Sequence, residues 1–308
     1  MINIIGRRYY FFALSLLIII PGLIIIAMGK VTLSIDFKGG SLLEIKFEDG
    51  FLPEPAEVIS IYNALGIDDA LVQTTGEDTL VARSSFMDEQ SLTSVLNNIE
   101  EKFSRAPIVL RSESVGPTIG QEVAVRAGLA VLVAAIAVVI YVSIAFRGVQ
   151  HAFRYGVCAV IAMAHDVLIV ISLAAIGGLL WDWQIDALFL TALLTVIGFS
   201  VQDKIVVFDR IRENSNIFRR LDFETLVNHS IIQTLQRSIN TQLMTVEFML
   251  LALALFGGIT LREFATVLLV GLFCGTYSSI FIASPILVVW EKREWRNWFR
   301  PRSSQAAA

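Results

Sequence analysis

Apolar runs about 20 residues long, the length that carries an α-helix across a bilayer, recur along the chain, separated by short polar stretches. Six such runs can be drawn, at 9–28, 127–146, 153–179, 187–208, 239–256 and 264–290. The first has a signal peptide as its alternative. It is long, however, and no small-residue cleavage site separates it cleanly from the polar segment after it, so an anchor is expected.

Residues 30–126 show other periods. Ser41-Leu-Leu-Glu-Ile-Lys-Phe47 alternates apolar with polar, as a half-buried strand does. Val58, Ile61, Tyr62 and Leu65 give 55–65 a helical spacing that stops at Gly66. Two short strands, 69–74 and 79–83, are joined by a hairpin-type connection over Thr75-Gly-Glu-Asp78. Asp88 or Ser91 can cap a helix running to Phe103, and Pro107-Ile-Val-Leu-Arg111 begins a last strand. Strand, helix, strand, strand, helix, strand is the ferredoxin-like order. The fold class expected is therefore a mainly α membrane protein: six transmembrane helices with a ferredoxin-like α+β extracytoplasmic domain between helices 1 and 2. The domain division is 1–29, 30–126, 127–290 and a tail at 291–308.

Composition agrees with a membrane protein. Mean hydropathy is +0.68 and charged residues are 17% of the chain, against about a quarter in soluble domains. The net charge of −4 is less informative than where the charges lie. Arg7 and Arg8, Arg147 and Arg154, the arginines at 210, 212, 219, 220 and 237, and the basic residues at 292, 293, 296, 300 and 302 all fall on alternate connections. Basic loops stay inside, so both termini are expected on the cytoplasmic side and 30–126 outside. Cys158 and Cys274 fall within apolar runs without metal-ligand spacing and read as small buried residues. No nucleophile–base constellation or phosphate-cradling loop is evident, so neither an enzyme nor a cofactor is expected.

The candidate chemistry sits where charge interrupts hydrocarbon. The stretch 198–214 opens inside the fourth run and ends in dense charge, with Asp203 and Lys204 at membrane depth. Such groups cost about 3 kcal/mol or more unless paired or wetted, and so mark function by default. In the third run, His165 and Asp166 read either as a relay or contact facing the bundle interior, or as a polar pair that pins helix packing. Adjacent helical positions diverge by about 100° and need not pair with each other. Arg237, Thr241 and Thr245 share one helix face at the start of the fifth run, with Asn240 beside them and Glu247 a further buried acid. Arg237 either snorkels to the interface or meets a carboxylate across the bundle. Residues 222–235 suggest an amphipathic helix along the cytoplasmic face, with Asp222 as its cap. Gly271 and Gly275 would allow close helix approach in the sixth run, where Pro285 would impose a kink. Trp290, Trp295 and Trp298 read as interfacial anchors. Gly39-Gly40 and Gly116-Pro117 flank the outer domain, either as hinges or as ordinary turns.

Four stretches carry a resemblance: Asp36-Phe-Lys-Gly-Gly40, Ala164-His165-Asp166, 198–214, and Gly275-Thr-Tyr-Ser-Ser-Ile-Phe-Ile-Ala-Ser-Pro285. Together they resemble the SecF branch of the bacterial SecD/SecF protein-export family, within the resistance-nodulation-division superfamily. The resemblance implies a subunit that works with SecD, beside the SecY/SecE/SecG channel. Proton motive force would promote late steps in the export of unfolded proteins across the cytoplasmic membrane. It implies proton conduction through the positions matching Asp203, Arg237 and Thr241. Its implied partners are SecD, the channel, exported proteins, protons and lipid, with no nucleic acid. A proton-driven small-molecule or lipid exporter of the same superfamily, or a structural scaffold for SecD, are the alternatives. Two positions depart from the family pattern. Lys204 stands where a small hydroxyl residue is usual, and Glu247 where an apolar one is. Lys204 could favour ionised Asp203, face away from it, or pair with Glu247.

Overall fold

The computed structural model describes residues 3–75, 78–147, 152–181, 183–242, 248–256 and 259–296. The chain divides into two compact units, Leu33–Leu129, and Met1–Thr32 with Ala130–Ala308.

The chain begins with α1 (Arg8–Ala27) and a short turn of helix, α2 (Ile35–Lys38). The smaller unit then runs β1 (Gly40–Lys46), α3 (Pro55–Ala64), β2 (Leu71–Thr75), β3 (Thr79–Ser84), α4 (Glu89–Phe103) and β4 (Ile108–Val115). The sheet is antiparallel in the order β2-β3-β1-β4, the ferredoxin-like arrangement. Alternation sets the register. Leu43 and Ile45 of β1 face the core opposite Ala82 and Leu80 of β3. Val58, Ile61 and Tyr62 from α3, with Val95 and Ile99 from α4, close that core. Asp88 caps α4, accepting from the Ser91 amide at 2.8 Å.

The two glycine connections meet each other within this unit. Gly39 and Gly40 adopt φ of +78° and +136°, open to glycine at little cost. A Cβ on Gly39 would lie 2.6 Å from Pro117 Cα, and one on Gly120 would lie 2.6 Å from Gly39 N. The chain leaving β4 is thus packed backbone to backbone on the chain entering β1.

The larger unit is helical. After α5 (Pro117–Ala145) come α6 (Ala152–Trp181), α7 (Ala187–Ile217), α8 (Phe223–Gln242), α9 (Phe248–Phe256) and α10 (Ile259–Ser278). A π-helical turn, Ser279–Ala283, then leads into α11 (Ser284–Glu291). Among the described residues 5 helices are long and apolar enough to cross a membrane: Ile5–Ala27, Pro117–Ala145, Phe153–Trp181, Ala187–Ile217 and Leu261–Glu291. The expected fifth span, 239–256, crosses residues 243–247, which lie outside the described residues.

Two expectations are corrected here. The segment expected to be a loop from Asp209 is helical to Ile217, because its charges pair along the helix, Arg212 with Asp209 and Arg210 with Glu213. The amphipathic segment does not stop before Arg237. With no Gly or Pro to break it, α8 continues through Arg237 and Thr241 to Gln242. Close approach does occur at Gly271, where a Cβ would meet Val196 Cγ2 at 2.2 Å. Pro285 sits in the first turn of α11, directly after the π-helical turn.

Candidate functional site

Helix α7 carries Ser200, Asp203 and Lys204, and it packs against α6 and α10. Ser200 and Lys204 are four residues apart and share a face, while Asp203 is rotated about 100° away. That rotation separates the two charged neighbours into different surroundings.

Lys204 is completely buried, at 0% exposure, and donates to Asp166 Oδ2 at 2.8 Å. Its other contacts are the hydroxyl of Ser200 and the Ser200 carbonyl, the latter at 3.2 Å. Asp166, 1% exposed on α6, also accepts at Oδ2 from Ser200 Oγ at 2.5 Å and from Ser278 Oγ of α10 at 2.7 Å. Its remaining oxygen, Oδ1, lies 3.0 Å from His165 Nδ1. One carboxylate therefore joins α6, α7 and α10. A buried ion pair of this kind survives desolvation only when the remaining donors and acceptors are also satisfied, which the two serines achieve.

Asp203 is 6% exposed and accepts at Oδ2 from Thr276 Oγ1 of α10 at 3.0 Å. Asp203 and Asp166 thus draw hydroxyl donors from the same short segment, Thr276 to Ser278. A Cβ on Gly275 would come 3.2 Å from Ser200 Cα, so the missing side chain helps α10 lie close against α7 here.

The structure places the pairings that the sequence left open as follows. Lys204 meets Asp166 and faces away from Asp203, because its own helix face turns it toward α6. Glu247 itself lies outside the described residues. His165 and Asp166 do contact each other, through His165 Nδ1 and Asp166 Oδ1. The sequence leaves Arg237 either snorkelling to the interface or meeting a carboxylate across the bundle. Arg237 lies exposed on α8 with Thr241, and among the described residues it forms no ion pair. The hydroxyl donors Ser200 and Thr276 carry no mark of their own in the sequence. The i, i+4 relation of Ser200 to Lys204 is the available signal.

A second charged cluster joins the ends of the helical unit. Arg8 reaches Glu294 at 2.6 Å and Glu224 at 3.2 Å, while Lys292 reaches Glu224 at 2.8 Å and Asp222 at 3.0 Å. Asn228 Oδ1 accepts from the Ile4 and Ile5 amides. Lys292, by hydrogen bond and charge, holds Asp222 and Glu224 below the usual carboxylate range. Trp290 is half-buried and Trp295 exposed beside this cluster, and Trp298 lies outside the described residues.

Comparison with known proteins gives a consistent set of likenesses. Residues 95–293 match the model of the protein export membrane protein SecD/SecF, C-terminal, family, and residues 24–50 match the SecD/SecF GG motif. The chain is 68% identical over 308 residues to a protein translocase subunit SecF of Anaerolinea thermophila, covering 100% of both. It is 45% identical to the corresponding protein of Thermobaculum terrenum, again over 100% of both. The crystal structure of the translocon-associated membrane protein SecDF from Thermus thermophilus superposes with a TM-score of 0.81 at 33% identity. That match covers 95% of this chain and 39% of the other.

Proposed function

Since the chain belongs to the SecD/SecF protein-export family, on its SecF side, we propose that it couples inward proton movement to a late step of protein export. It does so in the cytoplasmic membrane together with a SecD partner. The observation that carries this is Asp203, a carboxylate buried on a membrane-spanning helix and held by the Thr276 hydroxyl of α10. Asp203 gains and loses the proton. Charged, it holds the Thr276 hydroxyl and attracts a cation. Neutral, it releases that attraction, and the helices around α7 can repack. One charge moving through 100 mV yields about 2.3 kcal/mol, enough to bias a two-state helix arrangement.

Arg237 and Thr241 enter the proton path when α8 moves toward Asp203 or when a SecD helix completes the route. The packed glycine joint at Gly39, Gly40, Gly116 and Pro117 transmits the change to the outer unit. Both termini face the cytoplasm, and the SecY/SecE/SecG channel and the emerging unfolded chain meet the outer unit.

The test is Asp203→Asn in the full subunit, reconstituted with its SecD partner in vesicles that hold a proton gradient. Gradient-dependent export should fall by at least about tenfold while assembly persists. Unchanged export would favour the scaffold reading, in which buried charges serve only helix pairing.

A further inference from the structure

The imidazole of His165 is only half used. Nδ1 contacts Asp166 Oδ1 at 3.0 Å, whereas Nε2 is buried with no hydrogen-bond partner among the described residues. The residue is 9% exposed. Asp166 already accepts from Lys204, Ser200 and Ser278, so it is an acceptor toward His165 as well, and Nδ1 carries the hydrogen. Nε2 then presents a bare lone pair inside the bundle. An orphaned buried acceptor is disfavoured, and nothing about helix packing requires it: Nδ1 alone makes the contact to Asp166.

We propose that His165 Nε2 is a proton-binding station distinct from Asp203, with Asp166 as its counter-ion and Lys204 holding Asp166 in the charged form. The proton adds to the Nε2 lone pair and leaves from the same nitrogen, so no other bond changes. Lys204 occupies Oδ2 and leaves Oδ1 to the ring, which keeps an arriving proton on the imidazole instead of the carboxylate.

The surrounding elements fit that role. From α10, Tyr277 stacks on the ring with centroids 6.2 Å apart, and Cys274 is the other titratable group on that helix's near side. The Tyr277 hydroxyl donates to Phe11 O, so it is directed away from Nε2. Helix α7 contributes Lys204 and Asp203. Helix α1 has no ionisable residue after Tyr10, and Ser279–Trp290 has none. This assignment deepens the proton-coupling reading and rests on it for its place in a route.

The experiment uses the full subunit with its SecD partner in vesicles, labelled with 15N-histidine and carrying only three histidines to resolve. His165→Asn supplies the assignment. It also keeps an N–H toward Asp166 while removing the second ring nitrogen. The wild-type His165 Nε2 resonance should move from the bare to the protonated position as pH is lowered, with Nδ1 protonated throughout. In H165N, proton flux should fall at least about tenfold and its pH profile should lose an inflection present in the wild type. A static Nε2 resonance, unchanged flux, or a uniform fall with an unaltered profile each overturns the assignment. Asp203→Asn, run in parallel, separates the two ideas. If D203N is silent, the proton-coupling reading fails while the resonance still reports on His165. If only H165N is silent, the station alone fails.

Discussion

At the scale of single residues, the informative contrast is between Asp203 and Lys204. They are neighbours in sequence and lie on different faces of α7. Lys204 is visible in the sequence as an anomaly, because a cation has no ordinary place in an apolar helix. Its partner is not visible, because Asp166 lies 38 residues away on another helix and the contact depends on how α6 and α7 are rotated. Removing one member of such a pair strands a buried charge. Lys204→Met should therefore destabilise the protein by about 3–5 kcal/mol, seen as a lower thermal-unfolding midpoint in detergent. The double variant Lys204→Met with Asp166→Asn should recover most of that loss. A double variant as unstable as K204M would show that the two side chains are not coupled.

At the scale of elements, two glycines show how the nature of a clash sets its remedy. At Gly39 a methyl group would strike the Pro117 backbone at 2.6 Å, and φ is already +78°. Gly39→Ala should cost about 1–3 kcal/mol, and trimming neighbouring side chains should not relieve it. At Gly271 the obstacle is the Val196 side chain, 2.2 Å from the added Cβ. Gly271→Ala should destabilise by about 1–3 kcal/mol, and adding Val196→Ala should restore much of it. Thermal midpoints of the variants check both. The strands and helices of the small unit were legible from alternation and caps, as in β1 and α4. The end of α7 was not, because dense charge marks the edge of a membrane span without marking the end of the helix that carries it.

At the scale of the whole molecule, the helical unit is tied at one end by Arg8, Glu224, Lys292 and Glu294, which come from three distant parts of the chain. Lys292 lowers the pKa of Glu224 from its ordinary 4.5. A carboxylate whose folded pKa is depressed stabilises fully above its unfolded value, and that contribution is lost as pH falls through the folded value. Acidification below about pH 4.5 should therefore loosen the tie by up to about 1 kcal/mol. Hydrogen exchange at the Ile4 and Ile5 amides, corrected for intrinsic rates, reads this directly. Lys292→Met should reduce the acid dependence, leaving the part that Arg8 contributes at Glu224. An acid response identical in wild type and K292M would place its origin elsewhere.

The sequence by itself determined the class of the protein, the elements of the small unit and the presence of unusual charge in apolar helices. These derive from local quantities: run length, period, capping residues and the cost of burying an ion. Only the tertiary structure decided which charges meet. Asp166 pairs with Lys204, Thr276 reaches Asp203, Arg237 stands exposed, and His165 keeps one nitrogen bare. The reason is that a helix's rotation and depth come from packing against its neighbours. At 3.6 residues per turn, one position along the sequence moves a side chain to another face.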